Sequence, residues 1–118
     1  MEERILIIIP AFNEEESILN TYNTILEYNK THERTLDTIV INDGSTDATE
    51  QILVQHHIPH IQLIQNLGIG GAVQTGYKYA YENQYDIAIQ FDGDGQHDIS
   101  FVDALVKPIL NEHANMTI

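Results

Sequence analysis

Ile87-Ala88-Ile89-Gln90-Phe91-Asp92-Gly93-Asp94-Gly95-Gln96-His97 is the stretch that decides the fold. Apolar residues alternate at Ile87, Ile89 and Phe91, as a strand facing a core requires. The strand then runs into two carboxylates one residue apart, on a turn that Gly93 and Gly95 allow to bend sharply. Asp92 and Asp94 are hard oxygen donors at the carboxyl end of a strand, the end at which open α/β sheets bind ligands. Such a pair suits a divalent cation that already carries a diphosphate. An EF-hand calcium loop is excluded, because its sixth position falls on His97 rather than glycine and its twelfth, Asp103, falls inside an expected helix.

Outward from this strand, apolar runs alternate with helical periodicity along the whole chain. Ile5–Ile9 reads as the first strand, and Asn13 with Glu16 has the spacing of a capping box for the helix that follows. Ile18, Leu19, Tyr22, Ile25 and Leu26 fall on one face of that helix. Thr38–Asn42 is the second strand, apolar throughout its centre, as in a sheet buried on both faces. Asp43-Gly44-Ser45-Thr46-Asp47 is a turn rich in capping side chains and opens a second helix reaching about His56. Ile61–Ile64 is a third strand, followed by Asn66-Leu67-Gly68-Ile69-Gly70-Gly71. A third helix then carries Ala72, Val73, Gly76, Tyr77 and Ala80 on one stripe. Ser100 with Asp103 caps a helix after the organising strand, and Met116–Ile118 reads as the start of a fifth strand. Strand–helix alternation with short loops implies an α/β, doubly wound, mostly parallel sheet with Rossmann-like βαβ units. The loops holding Asn13, Asp43, Gly68–Gly71 and Asp92–Asp94 would then share one edge.

Composition narrows the function. The 118 residues include 18 Asp and Glu against 5 Lys and Arg, a formal net charge of −13, and no cysteine. Nucleic acid and an anionic membrane are both disfavoured as direct partners, since neither phosphate surface would meet a basic patch. An anionic ligand would need a metal or backbone amides to offset its charge. The lack of cysteine rules out disulfides and thiolate metal sites and fits a reducing compartment. The expected location is the cytoplasm, including the cytoplasmic face of a membrane for a longer protein. No run is long enough for a membrane span or a signal peptide.

The glycine loop invites a dinucleotide reading, but the third glycine of that fingerprint would fall on Val73. No Gly-Lys-Ser/Thr follows for a Walker loop. Amides at this helix start suit a phosphate, although tight packing explains the glycines equally well. Asp43 suits hydrogen bonds from a base or ribose, because Ser45, Thr46 and Asp47 can cap the helix without it. His56, His57 and His60 lack ligand spacing and read as surface. His97, directly after the acidic turn, is open to ligand contact. Tyr77, Tyr79, Tyr81 and Tyr85 read as helix packing and a polar rim.

Four segments together resemble the family 2 glycosyltransferases. They are Pro10-Ala11-Phe12-Asn13-Glu14, Ile41-Asn42-Asp43-Gly44-Ser45-Thr46-Asp47, Asn66-Leu67-Gly68-Ile69-Gly70-Gly71-Ala72 and Asp92-Gly93-Asp94-Gly95-Gln96-His97. The last is most similar to the dolichyl-phosphate mannose synthase branch and to bacterial polysaccharide relatives. The resemblance implies a GT-A fold binding a nucleotide-diphosphate sugar with Mg²⁺ or Mn²⁺. It places Pro10, Ala11, Phe12, Glu14, Asp43, Asn66, Gly68, Gly70, Gly71, Asp92 and Gly93 at the donor, and Asp92, Asp94 and Gln96 at the metal. Many relatives carry a basic residue in the glycine loop where this chain has Leu67 and Ile69, which leaves more of the phosphate charge to the metal. The chain is short for a complete enzyme of this kind. The acceptor-binding part and the carboxylate that deprotonates the acceptor are expected beyond Ile118, so no catalytic base is assigned within 1–118. The implied reaction is inverting sugar transfer to a lipid-phosphate or glycan acceptor, without fixing base, sugar or oligomeric state. A non-catalytic nucleotide or metal-binding module on the same sheet is the alternative.

Overall fold

The computed structural model describes residues 4–32, 35–92, 102, 104, 106 and 107. Gly93, Asp94, Gln96 and His97, the Ser100–Asp103 cap and the strand expected at Met116–Ile118 lie outside them.

Among the described residues four strands form one parallel sheet: β1 (Ile5–Ala11), β2 (Leu36–Asn42), β3 (His60–Gln62) and β4 (Ile87–Gln90), in the order β3-β2-β1-β4. Three helices connect them: α1 (Ile18–Thr31), α2 (Thr49–Gln55) and α3 (Gly68–Glu82). Ile5 to Ile9 are at most 1 % exposed, because both faces of β1 are covered. Ile5, Ile7 and Ile9 pack with Ile18, Ile25 and Tyr28 of α1 and Leu53 of α2. Leu6 and Ile8 pack with Ala72 and Ala80 of α3 on the opposite face. Ile87, Ile89 and Phe91 join the α1–α2 side, as their alternation requires, and Val102 and Val106 add to that core.

Several boundaries differ from the sequence reading. β2 begins at Leu36 rather than Thr38, because the Asn29 side chain of α1 serves Leu36 as a strand neighbour would. Its Oδ1 accepts the Leu36 amide at 2.8 Å and its Nδ2 donates to the Leu36 carbonyl at 2.9 Å. β3 ends at Gln62, and Ile64 is fully exposed. The buried face of α1 contains Thr21 and Thr24, whose hydroxyls donate to the Ser17 and Asn20 carbonyls, while Leu26 faces outward. On α3 the buried stripe is Ala72, Gly76 and Ala80, and Tyr77 is exposed. A Cβ at Gly76 would overlap the Ile8 side chain, so this glycine sets how closely α3 lies on the sheet.

The capping box expected from Asn13 and Glu16 does not form. The helix starts later, at Ile18, after a turn in which the Glu14 carbonyl accepts the Ser17 amide at 3.1 Å and the Ile18 amide at 2.8 Å. Asn13 adopts a left-handed backbone (φ 55°), which asparagine tolerates better than most residues, and its side chain serves a different loop.

Candidate functional site

The chain steps from β1 to β2 to β3 in one direction and then crosses to place β4 on the other side of β1. The direction of winding therefore reverses between β1 and β4, the kind of position at which open α/β sheets bind ligands. Phe91 donates its amide to the Ile8 carbonyl at 2.8 Å, so exposed Asp92 leaves the sheet level with Pro10. No group of three or more His, Asp or Glu side chains able to hold a metal occurs among the described residues. Asp92 is the described member of the acidic turn, whose Asp94 and Gln96 lie outside.

At the same edge of the sheet is a pocket of about 240 Å³ lined by Pro10, Ala11, Phe12, Glu14, Asp43, Asn66, Gly68 and Ile69. Three loops build it. β1 delivers Pro10 and Ala11 directly, and Phe12 projects half-exposed at the rim. β2 delivers Asp43, whose amide donates to the Ala11 carbonyl at 2.8 Å and extends the strand pairing by one step. The loop after β3 folds back over it. Leu67 donates its amide to Asp43 Oδ1 at 2.7 Å, and Asn66 Nδ2 donates to the Asp43 carbonyl at 3.2 Å. Gly44 makes that approach possible: at φ +68° a Cβ would collide with the Asn66 amide and the Gln65 carbonyl carbon.

Asp43 is 3 % exposed, yet its second carboxylate oxygen accepts no hydrogen bond among the described residues. A carboxylate oxygen accepts only, so a hydrogen-bond donor is what this one lacks.

Outside the pocket, Asp47 ties the structure together. Its Oδ1 accepts the Thr49 hydroxyl at 2.5 Å and the Thr49 amide at 2.9 Å, and its Oδ2 accepts the Glu15 amide at 3.2 Å. Burial pushes this carboxyl up, but those hydrogen bonds outweigh it and hold its pKa below the ordinary aspartate value.

The sequence reading thus placed Pro10, Ala11, Phe12, Glu14, Asp43, Asn66 and Gly68 in segments that do converge on one pocket. Gly70 and Gly71 do not line it. The missing side chain of Gly71 makes room for that of Leu67 instead, since a Cβ there would sit 2.7 Å from the Leu67 Cβ. Ile69 lines the pocket and was not among the candidates. Its one signal was its place inside the glycine loop. Among the histidines, His56 and His57 are exposed, and His60 turns its Nδ1 to the Ile58 carbonyl.

A parallel α/β sheet thus carries a part-apolar, part-acidic pocket at the carboxyl ends of its strands, the end at which open α/β sheets bind ligands. Comparison with known proteins makes this specific: the chain belongs to glycosyl transferase family 2, whose family model matches residues 6–118. An uncharacterised protein of Methanocaldococcus jannaschii is 38 % identical over 117 residues, covering 99 % of this chain and 46 % of that protein. The UDP-N-acetylglucosamine–dolichyl-phosphate N-acetylglucosaminyltransferase of Methanococcus voltae is 34 % identical over 94 % of this chain and 49 % of its own length. The chain therefore spans about half the length of these relatives. Among solved structures, glucosyl-3-phosphoglycerate synthase of Mycobacterium tuberculosis is similar, with a TM-score of 0.72 and 26 % identity. That similarity covers 92 % of this chain and 39 % of the synthase, which was solved with Mn²⁺, uridine diphosphate and phosphoglyceric acid. The fold is accordingly the GT-A type of α/β sheet. No described helix is long and apolar enough to cross a membrane.

Proposed function

We propose that residues 1–118 are the nucleotide-sugar-binding part of a longer, metal-dependent, inverting glycosyltransferase. The donor is a uridine-diphosphate sugar and the acceptor a lipid phosphate or glycan bound by a part outside this chain. The observation that carries this reading is the buried Asp43 carboxylate, with one oxygen left for a ligand in a pocket walled by Pro10, Ala11 and Phe12. A nucleoside supplies what that oxygen needs, a base N–H or a ribose hydroxyl, on a flat body that the apolar wall can cover. The uridine diphosphate in the solved relative, and the lipid-linked acceptor in the name of the M. voltae relative, support the same choice.

Charge supports the metal. The pocket is lined by Glu14 and Asp43 and by no Lys or Arg among the described residues, in a chain of net charge −13. A diphosphate entering there needs a positive charge from elsewhere. Asp92, with Asp94 and Gln96 further along the turn, offers the oxygen donors that Mg²⁺ or Mn²⁺ takes. When bound, such a cation offsets the charge that develops on the departing nucleoside diphosphate. The chain's own part is binding and orientation: Asp43 fixes the nucleoside, and Asn66 and Gly68 close the pocket beside it. In the longer protein the acceptor oxygen attacks the anomeric carbon from the side opposite the diphosphate, which inverts the configuration. The group that takes the acceptor's proton lies outside 1–118.

Titration calorimetry on the full-length protein tests this reading. Uridine diphosphate with Mn²⁺ should bind, and EDTA or Asp94→Ala should weaken binding by about tenfold or more. Equal affinity in EDTA would overturn the metal's role.

A further inference from the structure

Three consecutive backbone amides of the loop after β1 donate to side chains of a single segment after β2. Asn13 donates to Ser45 Oγ at 2.9 Å, Glu14 to Thr49 Oγ1 at 3.0 Å, and Glu15 to Asp47 Oδ2 at 3.2 Å. The reverse connection is Asn13 Oδ1, which accepts the Thr46 amide at 2.8 Å. Ser45 is in turn anchored by its hydroxyl to Asn42 Oδ1. Two of the three walls of the pocket are therefore fastened to each other outside it.

We propose that Asp47 and Thr49 are positioning residues of the donor pocket, acting through the relay Asp47–Thr49–Glu14 on the loop that carries Phe12 and Glu14. This rests on the reading of the pocket as a nucleotide site. Neither residue lines the pocket, and Thr49 is fully buried, so neither acts by touching a ligand. The relay has a direction. The Thr49 hydroxyl donates its proton to Asp47 Oδ1, which leaves its oxygen lone pairs for the Glu14 amide. A carboxylate at position 47 thus decides which way the hydroxyl points. Removing the hydroxyl leaves the Glu14 amide, at a part-buried position, without its acceptor, and removing the carboxylate lets the hydroxyl turn its proton toward that amide, so either change loosens the loop. The left-handed backbone at Asn13 gives the same loop a reason to relax once the fastening is gone.

Calorimetry with uridine diphosphate and Mn²⁺ on the full-length protein, run well below the unfolding temperature, separates positioning from mere stability. Thr49→Val keeps the shape and removes the hydroxyl, and it should weaken binding about tenfold, the scale expected when a site is displaced rather than lost. Thr49→Ser keeps the hydroxyl and removes a methyl group, and it should bind within about twofold of wild type. Should Thr49→Val fail to fold, Asp47→Ala, at a half-buried position, should give the several-fold loss instead. The double variant Asp47→Ala/Thr49→Val should lose less than the product of the two single losses, because the two residues share the relay while Asp47 also holds the Glu15 amide directly. Unchanged binding in Thr49→Val, or an equal loss in Thr49→Ser, would overturn the proposal while leaving the nucleotide reading intact. A wild-type protein that binds no uridine diphosphate would overturn both.

Discussion

The two ends of the sheet are both rich in polar side chains, but they differ in what those side chains leave over. At the amino-terminal rim, Arg4 donates its amide to Asp86 Oδ2 at 2.7 Å and its guanidinium to the Asn83 carbonyl at 2.6 Å, residues about 80 positions away in the chain. The same guanidinium lies 4.3 Å from the centre of the Tyr85 ring, and the Tyr85 hydroxyl donates to Asp37 Oδ2 at 2.8 Å. These groups pair with one another at largely exposed positions, where water can serve the oxygens left over, and they join β4 to β1 and β2. At the carboxyl-terminal rim, Asp43 is more deeply buried than any of them, and one of its oxygens accepts no hydrogen bond among the described residues. A polar cluster by itself therefore says little about function. An expensive buried charge whose hydrogen bonding is incomplete says much more.

Substitution at each rim should separate the two roles, and the largest effect is expected at Asp43. Asp43→Asn can keep an oxygen toward the Leu67 amide while turning a donor into the pocket, so nucleotide binding should fall by about 2 kcal/mol, roughly thirtyfold. Its unfolding midpoint should stay near that of wild type, and a large loss of stability with unchanged affinity would erase the contrast between the rims.

Arg4→Ala should do the reverse. Loss of its guanidinium hydrogen bonds and of its contact with the Tyr85 ring should cost about 1 kcal/mol in urea unfolding, with uridine diphosphate affinity unchanged. The smallest effect should come from Tyr85→Phe, about 0.5 kcal/mol near neutral pH. Burial, and then the hydrogen bond to Asp37, push the Tyr85 phenol up to about 12. Its folded pKa is thus raised above the unfolded value of 10.0, so its contribution is complete below pH 10 and fades as pH rises towards 12. Urea unfolding across that window should show wild type losing stability faster than Tyr85→Phe, and parallel curves would contradict this.

What could be read from the sequence was what local chemistry controls. The apolar runs in β1, β2 and β4, and the glycine and Asx turns that end them, announce an alternating sheet whose loops gather at one edge. That was enough to bring Pro10, Phe12, Asp43 and Asn66 together before any coordinates. The errors fall where a side chain from another element or loop decides. β2 starts early because Asn29 on a helix serves Leu36. Asn13 stands three residues before a glutamate, as a capping residue would, but its acceptor is taken by Thr46, 33 residues on. The buried stripe of α3 follows from how near Ile8 lies, which periodicity does not encode. Asp47 looked like one more helix cap, and its carboxylate does accept the Thr49 amide. Nothing local reveals that its other oxygen reaches Glu15.

The most direct test is a crystal structure of the full-length protein with uridine diphosphate and Mn²⁺. The account predicts the nucleoside against Pro10–Phe12 with a donor on the free oxygen of Asp43, and the cation between the diphosphate and the Asp92–Asp94 turn. A nucleotide bound elsewhere, with Asp43 facing only solvent, would contradict it.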